Sequence, residues 1–293
     1  MTGQPTHRRL RRGGFTLIEV AIVIVITAIV AVGVAVFLRA PVAGYVDSAA
    51  RADLADTADT ALRRMARDIR LALPNSVRTA NDASNAQYIE FLLTRTGGRY
   101  LSTDDNPTSG NVLDFYGGSL KFDVVGTMPS AEQTIQVGDS VVVYNLGQGI
   151  VPADAYQTGG QSNRAQIAGI SGNTITMATN PYTAQTIKMP SPYYRFQVIS
   201  GPVTYRCDPN VTHTLTRYWN YTISATQPTS VAAMSTGQNA LIATGVSSCA
   251  FTYSLTDSMS SALVVLDLQL TSATDANAGT VGLFQQIHVD NTP

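Results

Sequence analysis

The sequence predicts an α+β protein, with a long N-terminal helix packed on an antiparallel β-rich globular domain. Three observations support this fold class. An apolar run fills residues 15–38, and helical periodicity continues through residues 39–73. Beyond that point, residues 74–293 consist of short alternating segments rich in β-branched side chains and separated by turn residues. We therefore expect a transmembrane helix, an amphipathic continuation and a β-rich domain, in that order, after a basic segment at residues 1–14.

The composition argues against a nucleic-acid partner and against a typical cytosolic enzyme. The chain has 293 residues, a net charge of −1, and only 13% charged residues. No overall basic balance favours nucleic acid, and a low content of charged residues is more typical of exported β-rich proteins. The N-terminus differs from the remainder, because four arginines cluster near its start: Arg8, Arg9, Arg11 and Arg12.

The apolar run is long enough to cross a membrane. As a helix, residues 15–38 would extend about 36 Å, against a hydrocarbon core of about 30 Å. The small residues Gly13 and Gly14 precede this run rather than follow it, which argues against cleavage as an ordinary secretory signal. Because the arginines lie on the N-terminal side, we expect a cytoplasmic N-terminus and an exported C-terminal domain.

Glu19 is the single charged residue within the apolar run. A carboxylate inside a membrane costs about 2–3 kcal/mol on insertion scales, so it needs either a partner or a position near the headgroups. Both explanations are open from the residues alone. If the chain is cut after Gly14, Phe15 gains a free α-amino group four residues before Glu19. In a bundle of parallel helices, the amine of one subunit would then meet the glutamate of its neighbour.

The amphipathic continuation carries acidic residues before basic ones, which suits the helix dipole. Its apolar positions recur at spacings of three and four, and Pro74 predicts a stop after Leu73. We interpret its charged stripe as a solvated or subunit-facing surface. The aspartates are Asp47, Asp53, Asp56 and Asp59, and the arginines are Arg63, Arg64, Arg67 and Arg70.

The β-rich region contains eleven candidate strands by alternation and β-branched content. A turn is predicted at 207–210, and surface loops are predicted at 146–164 and 224–240, where Gly, Gln, Ser and Thr accumulate. The candidate strands are residues 88–93, 112–116, 120–125, 140–145, 173–178, 194–200, 203–207, 213–219, 249–255, 262–270 and 281–289.

The chemistry-bearing residues do not form a recognisable catalytic motif. His213 and His288 are isolated in predicted strands, and we predict no enzyme activity, no cofactor and no metal site. A calcium loop at 102–111 is an alternative to the plain turn that we favour. Cys207 and Cys249 match no zinc or redox spacing, and in an exported protein they predict one disulfide. Two buried free thiols are the alternative.

The N-terminal segment resembles the processing signal of type IV pilins and pseudopilins. The resemblance rests on a basic leader, "GG", then "FTLIEV" opening an apolar helix. It implies that a prepilin peptidase cuts after Gly14 and that Phe15 is then N-methylated, with Glu19 as the assembly glutamate. Many members carry a proline midway through the helix, whereas here the nearest one is Pro41. This departure leaves open whether the helix melts in a filament.

Further segments are similar to the larger, J-type minor pseudopilins and to biogenesis proteins of MSHA-type pili. The J-type resemblance rests on "LRRMARDIRLALPNSVR" (62–78), "GPVTYRCDPN…LTRYW" (201–219) and "CAFTYSL" (249–255), and the resemblance to MSHA biogenesis proteins rests on "LFQQIHVDNTP" (283–293). The resemblance implies a minor pilin that is inserted in the inner membrane with a periplasmic β-rich domain and then enters a pilus filament or its tip. Its implied partners are other pilins and minor pilins, the prepilin peptidase and the inner-membrane assembly platform.

Three other functions are open. One is a J-type pseudopilin of a type II secretion machine, which would use the same mechanism in another apparatus. Another is a membrane-anchored adhesin or carbohydrate-binding module that uses the aromatic pairs Tyr193–Tyr194 and Tyr218–Trp219. The last is an anchored hydrolase, which the missing catalytic motif disfavours.

Overall fold

The computed structural model describes residues 14–255, 260–272 and 279–293. The predicted leader, with its four arginines and His7, lies outside the described residues apart from Gly14. The chain divides into two compact units, Met1–Ala50 and Arg51–Pro293. The long helix and the antiparallel β-rich domain confirm the predicted α+β class.

The elements of the described residues follow the predicted order. Helix α1 spans Leu17–Arg70, and a short helix α2 spans Pro181–Ala184. The strands are β1 Arg78–Asn81, β2 Gln87–Tyr100, β3 Lys121–Val125, β4 Ser140–Val142, β5 Arg164–Ser171, β6 Thr174–Met177, β7 Arg195–Asp208, β8 Thr214–Trp219, β9 Gln238–Thr244, β10 Val246–Leu255, β11 Ser261–Thr271 and β12 Thr280–Asp290. Single 3₁₀ turns lie at Thr103–Asp105, Ala131–Gln133, Gly159–Gln161 and Ala232–Met234.

Helix α1 ends three residues before the predicted stop. The chain after Arg70 joins the sheet instead of continuing the helix, because the Leu73 N–H donates to the Leu92 carbonyl at 2.8 Å. The Thr94 N–H donates in turn to the Leu71 carbonyl, also at 2.8 Å. Pairing with β2 therefore ends the helix before Pro74 can do so.

Within the described residues the strands form a nine-stranded sheet and a three-stranded sheet. The larger sheet has the order β1-β2-β3-β6-β5-β4-β7-β8-β9, and β2 also pairs with β7. This extra pairing closes β2, β3, β6, β5, β4 and β7 into a ring, so that the central part of the sheet is a small barrel. Its interior holds a separate core that includes Tyr100, Phe122, Tyr182 and Phe196.

The two long strands β2 and β7 belong to both parts of the larger sheet. Their Gln87–Leu93 and Gly201–Cys207 halves pair within the open part, and their other halves pair within the barrel. The register shifts between Leu93 and Thr94, opposite Gly201, whose φ is +141°. A bulge bends a strand, and glycine adopts this φ without strain, so the turn into the barrel occurs here.

The main core lies between the second half of α1, the open part of the larger sheet and the three-stranded sheet β10-β11-β12. From the helix it takes Ala58, Ala61, Leu62 and Met65, which lie at helical spacing. Strand β11 shows the predicted alternation, and its buried side chains are Ala262, Val264, Leu266, Leu268 and Leu270. Apolar side chains at helical spacing and apolar side chains that alternate along a strand therefore pack in the same core.

The strand predictions were right for most segments. The predicted strand at 112–116 was wrong, because the Asp114 carboxylate accepts the N–H groups of Tyr116 and Gly117 and holds a turn there. The predicted strands at 194–200 and 203–207 are one strand, β7. Strands β1, β5 and β9 were missed.

The predicted surface loop at 146–164 is buried in its middle. Asp154 has no exposed surface, and its carboxylate accepts the N–H groups of Gly149 and Tyr156. Asn145 extends this network, since its amide accepts from the Ala155 N–H and donates to the Pro74 carbonyl. These polar residues satisfy the loop's backbone inside the protein, which composition alone does not reveal.

Candidate functional site

The candidate site is the start of α1, where the residues implied in processing and assembly lie together. Gly14, Phe15 and Thr16 precede the helix, which begins at Leu17. The Phe15 side chain is 81% exposed, and a Cβ added at Gly14 would have no neighbour within 4 Å. Among the described residues, the Gly14–Phe15 bond therefore lies in an exposed, non-helical segment just before the helix.

Thr16 and Glu19 form a reciprocal cap on the helix. The Thr16 N–H donates to Glu19 Oε2 at 3.4 Å, and the Glu19 N–H donates to Thr16 Oγ1 at 3.3 Å. The Thr16 carbonyl also accepts the N–H of Val20 at 3.2 Å. This pattern matches a capping box, and the carboxylate also favours the positive end of the helix dipole. In the uncut chain, Glu19 thus has a local partner at the helix start.

Thr16 was not predicted as a site residue, although a signal for it was present. The motif "TLIE" has the Thr-x-x-Glu spacing of a capping box immediately before an apolar run. The partner of Glu19 is not a charged side chain, because the donor is the backbone N–H of Thr16. The hydroxyl of Thr27 also has a hydrogen-bond partner within the helix, since it donates to the Val23 carbonyl.

The first half of α1 has the length and composition to cross a membrane. An 18-residue window in it has a mean hydropathy of 3.1, and none of that window is buried within the protein. Large apolar side chains are exposed along its length, among them Ile22, Val25 and Ile29. An exposed apolar helix of this length fits a membrane-anchored protein.

The two cysteines form a disulfide that joins the two sheets. Cys207 lies at the end of β7 and Cys249 lies in β10, with their Cα atoms 6.5 Å apart. Both side chains belong to the main core. The bond therefore ties the three-stranded sheet to the larger sheet next to the helix.

The candidate calcium loop is organised by the protein's own contacts. Ser102 caps the 3₁₀ turn Thr103–Asp105, and the Asp105 carboxylate pairs with the Arg99 guanidinium. This pairing, together with the Ser102 N–H, lowers the pKa of Asp105. Asp104 accepts the Tyr194 hydroxyl at 2.6 Å. Across the described part of the chain, no group of three or more His, Cys, Asp or Glu side chains could hold a metal ion.

The other candidate residues do not come together. His213 lies in the turn before β8, where Nδ1 is 3.3 Å from the Val246 carbonyl oxygen, and His288 lies in β12. Among the aromatic pairs, Tyr218 is buried, whereas Tyr193 is 71% exposed with the Arg195 guanidinium over its ring. The aromatic residues therefore do not form one continuous patch.

A buried ion pair lies at the edge strand β1, where it was not predicted. Arg78 donates to Glu90 Oε2 at 2.9 Å, and the Tyr221 hydroxyl donates to Glu90 Oε1 at 3.1 Å. The Arg78 guanidinium also lies 3.6 Å from the centre of the Tyr156 ring. Burial raises the pKa of Glu90, and Arg78 offsets only part of that effect. These contacts connect β1 and β2 to the loops that flank them.

The comparisons with known proteins agree with the geometry of the N-terminal site. The prokaryotic N-terminal methylation motif matches residues 9–35, a range that includes Gly14, Phe15 and Glu19. No curated protein and no solved structure matches the chain. The motif, the apolar helix and the capped glutamate at its start support a type IV pilin-like protein.

Proposed function

We propose that this protein is a minor pilin or pseudopilin, cut after Gly14, N-methylated at Phe15 and assembled into an MSHA-type pilus. It is inserted in the inner membrane with its leader in the cytoplasm and its β-rich domain in the periplasm. The assembly platform then moves it into the filament, in the tip or initiation complex with other minor pilins. The observation that carries this proposal is the methylation motif over residues 9–35, with Glu19 at the start of an exposed apolar helix.

The chemistry of Glu19 supports an assembly role. Before cleavage its carboxylate accepts the N–H of Thr16, just before the start of the helix, where the positive end of the helix dipole favours a negative charge. Cleavage after Gly14 creates a protonated amine at Phe15. In a bundle of parallel apolar helices, a neighbour's amine pairs with Glu19, because neither charge is stable alone in such surroundings.

The assignment to a particular pilus rests on sequence resemblance. The closing "LFQQIHVDNTP" is similar to the end of the MSHA pilus biogenesis protein MshO, and the segments at 62–78, 201–219 and 249–255 are similar to J-type pseudopilins. A J-type pseudopilin of a type II secretion machine is the alternative. The flanking genes distinguish the two, since pilus and secretion operons encode different partners.

Replacing Gly14 tests the processing site. We expect Gly14→Ala, or a larger residue at this position, to block cleavage and leave the leader, residues 1–14, attached to the protein. The replacement does not disturb the fold, because a Cβ at Gly14 meets no atom within 4 Å. Mass spectrometry of the protein from cells that contain the peptidase measures the N-terminus and its methyl group directly.

Gly33→Ala is the matched control, since a Cβ at Gly33 also meets no atom within 4 Å. This variant should be processed as the wild type is. An unprocessed wild-type protein, or a Gly14→Ala protein that loses its leader normally, would refute the assigned cleavage site.

Replacing Glu19 tests the assembly role. We expect Glu19→Val to leave membrane insertion intact, because it removes a charge from the apolar run, but to reduce pilus number to about a tenth or less. Electron microscopy counts the pili, and membrane fractionation measures insertion. Thr16→Val is the control for the helix cap, because it removes the hydroxyl acceptor of the Glu19 N–H and keeps the carboxylate, so its pilus number should stay close to that of the wild type. Normal pilus numbers in the Glu19→Val strain would exclude the role.

A further inference from the structure

Strand β12 is the free edge of the three-stranded sheet. The strand order β10-β11-β12 gives β12 one neighbour, β11, and the two strands pair over all 11 residues of β12 without a register shift. At the other end of this sheet, β10 lies against β1, β2 and β7 and is joined to β7 by the disulfide. Among the described residues, one side of β12 therefore has no strand beside it.

The register shows which residues carry the free backbone groups of β12. The Asn291 N–H donates to the Ser260 carbonyl of β11's side of the sheet at 2.9 Å. The Thr271 N–H donates in the opposite direction, to the Gly245 carbonyl at 2.8 Å. Because these groups alternate along a strand, the odd-numbered residues of β12 bond to β11. The backbone groups that point away from β11 belong to the even-numbered residues Gly282, Phe284, Gln286 and His288.

This edge lacks the features that usually prevent a further strand from adding. Natural edge strands are often short, bulged, or protected by lysine or proline. Strand β1 has four residues, and β9 carries an extra residue, Ile242, at a register shift. Strand β12 is long, regular and free of lysine and proline, and its Phe284 side chain is 72% exposed. Between described residues, no backbone hydrogen bond reaches its outer edge.

The region around β12 is acidic. After Arg217 the sequence contains four aspartates and no lysine or arginine. Asp267 of β11 lies directly across from Phe284, and Asp290 is exposed at the end of β12. Opposite charges favour pairing across an interface, whereas a second β12 would bring more aspartates and no base. The charge therefore favours a basic partner over a second copy of this chain.

We infer that β12 binds an extended, basic segment of a different pilus subunit as a further strand of the three-stranded sheet. The outward N–H and carbonyl groups recur every second residue, about 6.8 Å apart, and an extended backbone presents its own groups at the same interval. An apolar side chain of the added strand packs beside Phe284. The inference rests on the proposed function, which places this chain among other minor pilins.

Hydrogen exchange at single residues measures this pairing directly. The full chain in detergent is compared with its complex with the minor pilins that the flanking genes encode. In the free chain, the odd-numbered amides of β12 should exchange slowly and the even-numbered amides fast. In the complex, exchange at Phe284, Gln286 and His288 should slow by at least about tenfold, while the odd-numbered amides stay unchanged. The partner segment that gains protection should contain lysine or arginine.

Substitutions at Gln286 test the edge itself. Gln286→Pro removes one outward N–H and leaves the hydrogen bonds to β11 in place, so it should weaken binding about tenfold. Gln286→Lys should also weaken binding, because an edge lysine repels a basic strand. Thr252→Lys is the matched control, since Thr252 is exposed on β10 and lies in the same cross-strand row, through Val265. This control should bind as the wild type does.

A complex in which the even-numbered amides of β12 exchange as fast as in the free chain would overturn the inference and leave the proposed function standing. Wild-type binding by both Gln286 variants, pairing of β12 with a second copy, or a processed chain that binds none of these minor pilins would also overturn it. A chain that keeps its leader and binds none of them would instead overturn the proposed function, and N-terminal mass spectrometry of the same samples detects that outcome.

Discussion

Two glutamates of this protein lie in apolar surroundings, and their carboxylates have different kinds of hydrogen-bond partner. Glu19 is at the surface of a helix start, where Thr16 supplies a backbone N–H. Glu90 has no exposed surface, and Arg78, only 7% exposed, supplies a full opposite charge. The carboxylate of Glu19 is therefore held by a neighbouring backbone group at the surface, whereas that of Glu90 is held by a tertiary ion pair inside the fold.

Breaking the buried pair should destabilise the protein strongly. We expect Arg78→Met to lower the free energy of unfolding by about 3–5 kcal/mol at pH 7, because it leaves the Glu90 carboxylate buried without its cation. Denaturant titration of the full chain in detergent, followed by circular dichroism, measures the loss. Arg63→Met is the matched control, since its side chain is 74% exposed and its ion pair contributes less than about 1 kcal/mol.

The loss should depend on pH in a defined direction. Burial raises the pKa of Glu90 above its usual value, and removing Arg78 takes away the charge that opposes this rise. A carboxyl with a raised pKa in the folded state binds a proton more tightly there than in the unfolded chain. The deficit of Arg78→Met should therefore shrink as pH falls from 7 toward 4. A deficit that is constant over this range would exclude Glu90 as its source.

At the scale of the elements, periodicity predicted most of the fold. The helix and strand β11 were predicted because their apolar residues recur with the period of a helix and of a strand, respectively. The end of α1 was misplaced because pairing of Leu73 with Leu92 is a tertiary contact. Residues 112–116 are mostly apolar, as strand residues often are. The Asp114 carboxylate nevertheless stabilises a turn there, and the pattern of side chains does not predict that hydrogen bond.

The candidate site was also predicted only in part. Gly14, Phe15 and Glu19 follow from a local pattern of charge, glycine and apolar length. Thr16 was missed because it contacts Glu19 through its backbone N–H and carries no charged side chain. The charged stripe of α1 was predicted as a solvated or subunit-facing surface, but which of its residues lie opposite the core depends on which side of the helix the sheets cover.

At the scale of the whole molecule, the long strands β2 and β7 connect the barrel to the open part of the larger sheet. The sequence shows no boundary between these two parts. Strands β2 and β7 pair over most of their length, although β3, β4, β5 and β6 all lie between them along the chain. No composition shift marks the barrel between them, because its strands alternate as the others do. Pairing over such distances is set by the complete sheet, and local patterns do not encode it.

The disulfide joins the larger sheet to the three-stranded sheet. Its loss should therefore destabilise the three-stranded sheet more than the larger one. The loop between Cys207 and Cys249 spans 42 residues, and closing it stabilises the fold by about 3–4 kcal/mol in the chain-entropy model. We expect Cys207→Ala with Cys249→Ala to lower the thermal midpoint by about 10 °C. Hydrogen exchange should accelerate in β10, β11 and β12 more than in the barrel, whose core is separate.

Reduction of the wild type supplies the control for this prediction. A reductant should lower the midpoint of the wild type toward that of the double variant and leave the variant unchanged, because the sequence contains no other cysteines. Equal midpoints for oxidised wild type and variant would contradict the stabilising role. Uniform acceleration of exchange across both cores would contradict the conclusion that the bond chiefly holds β10–β12 against the larger sheet.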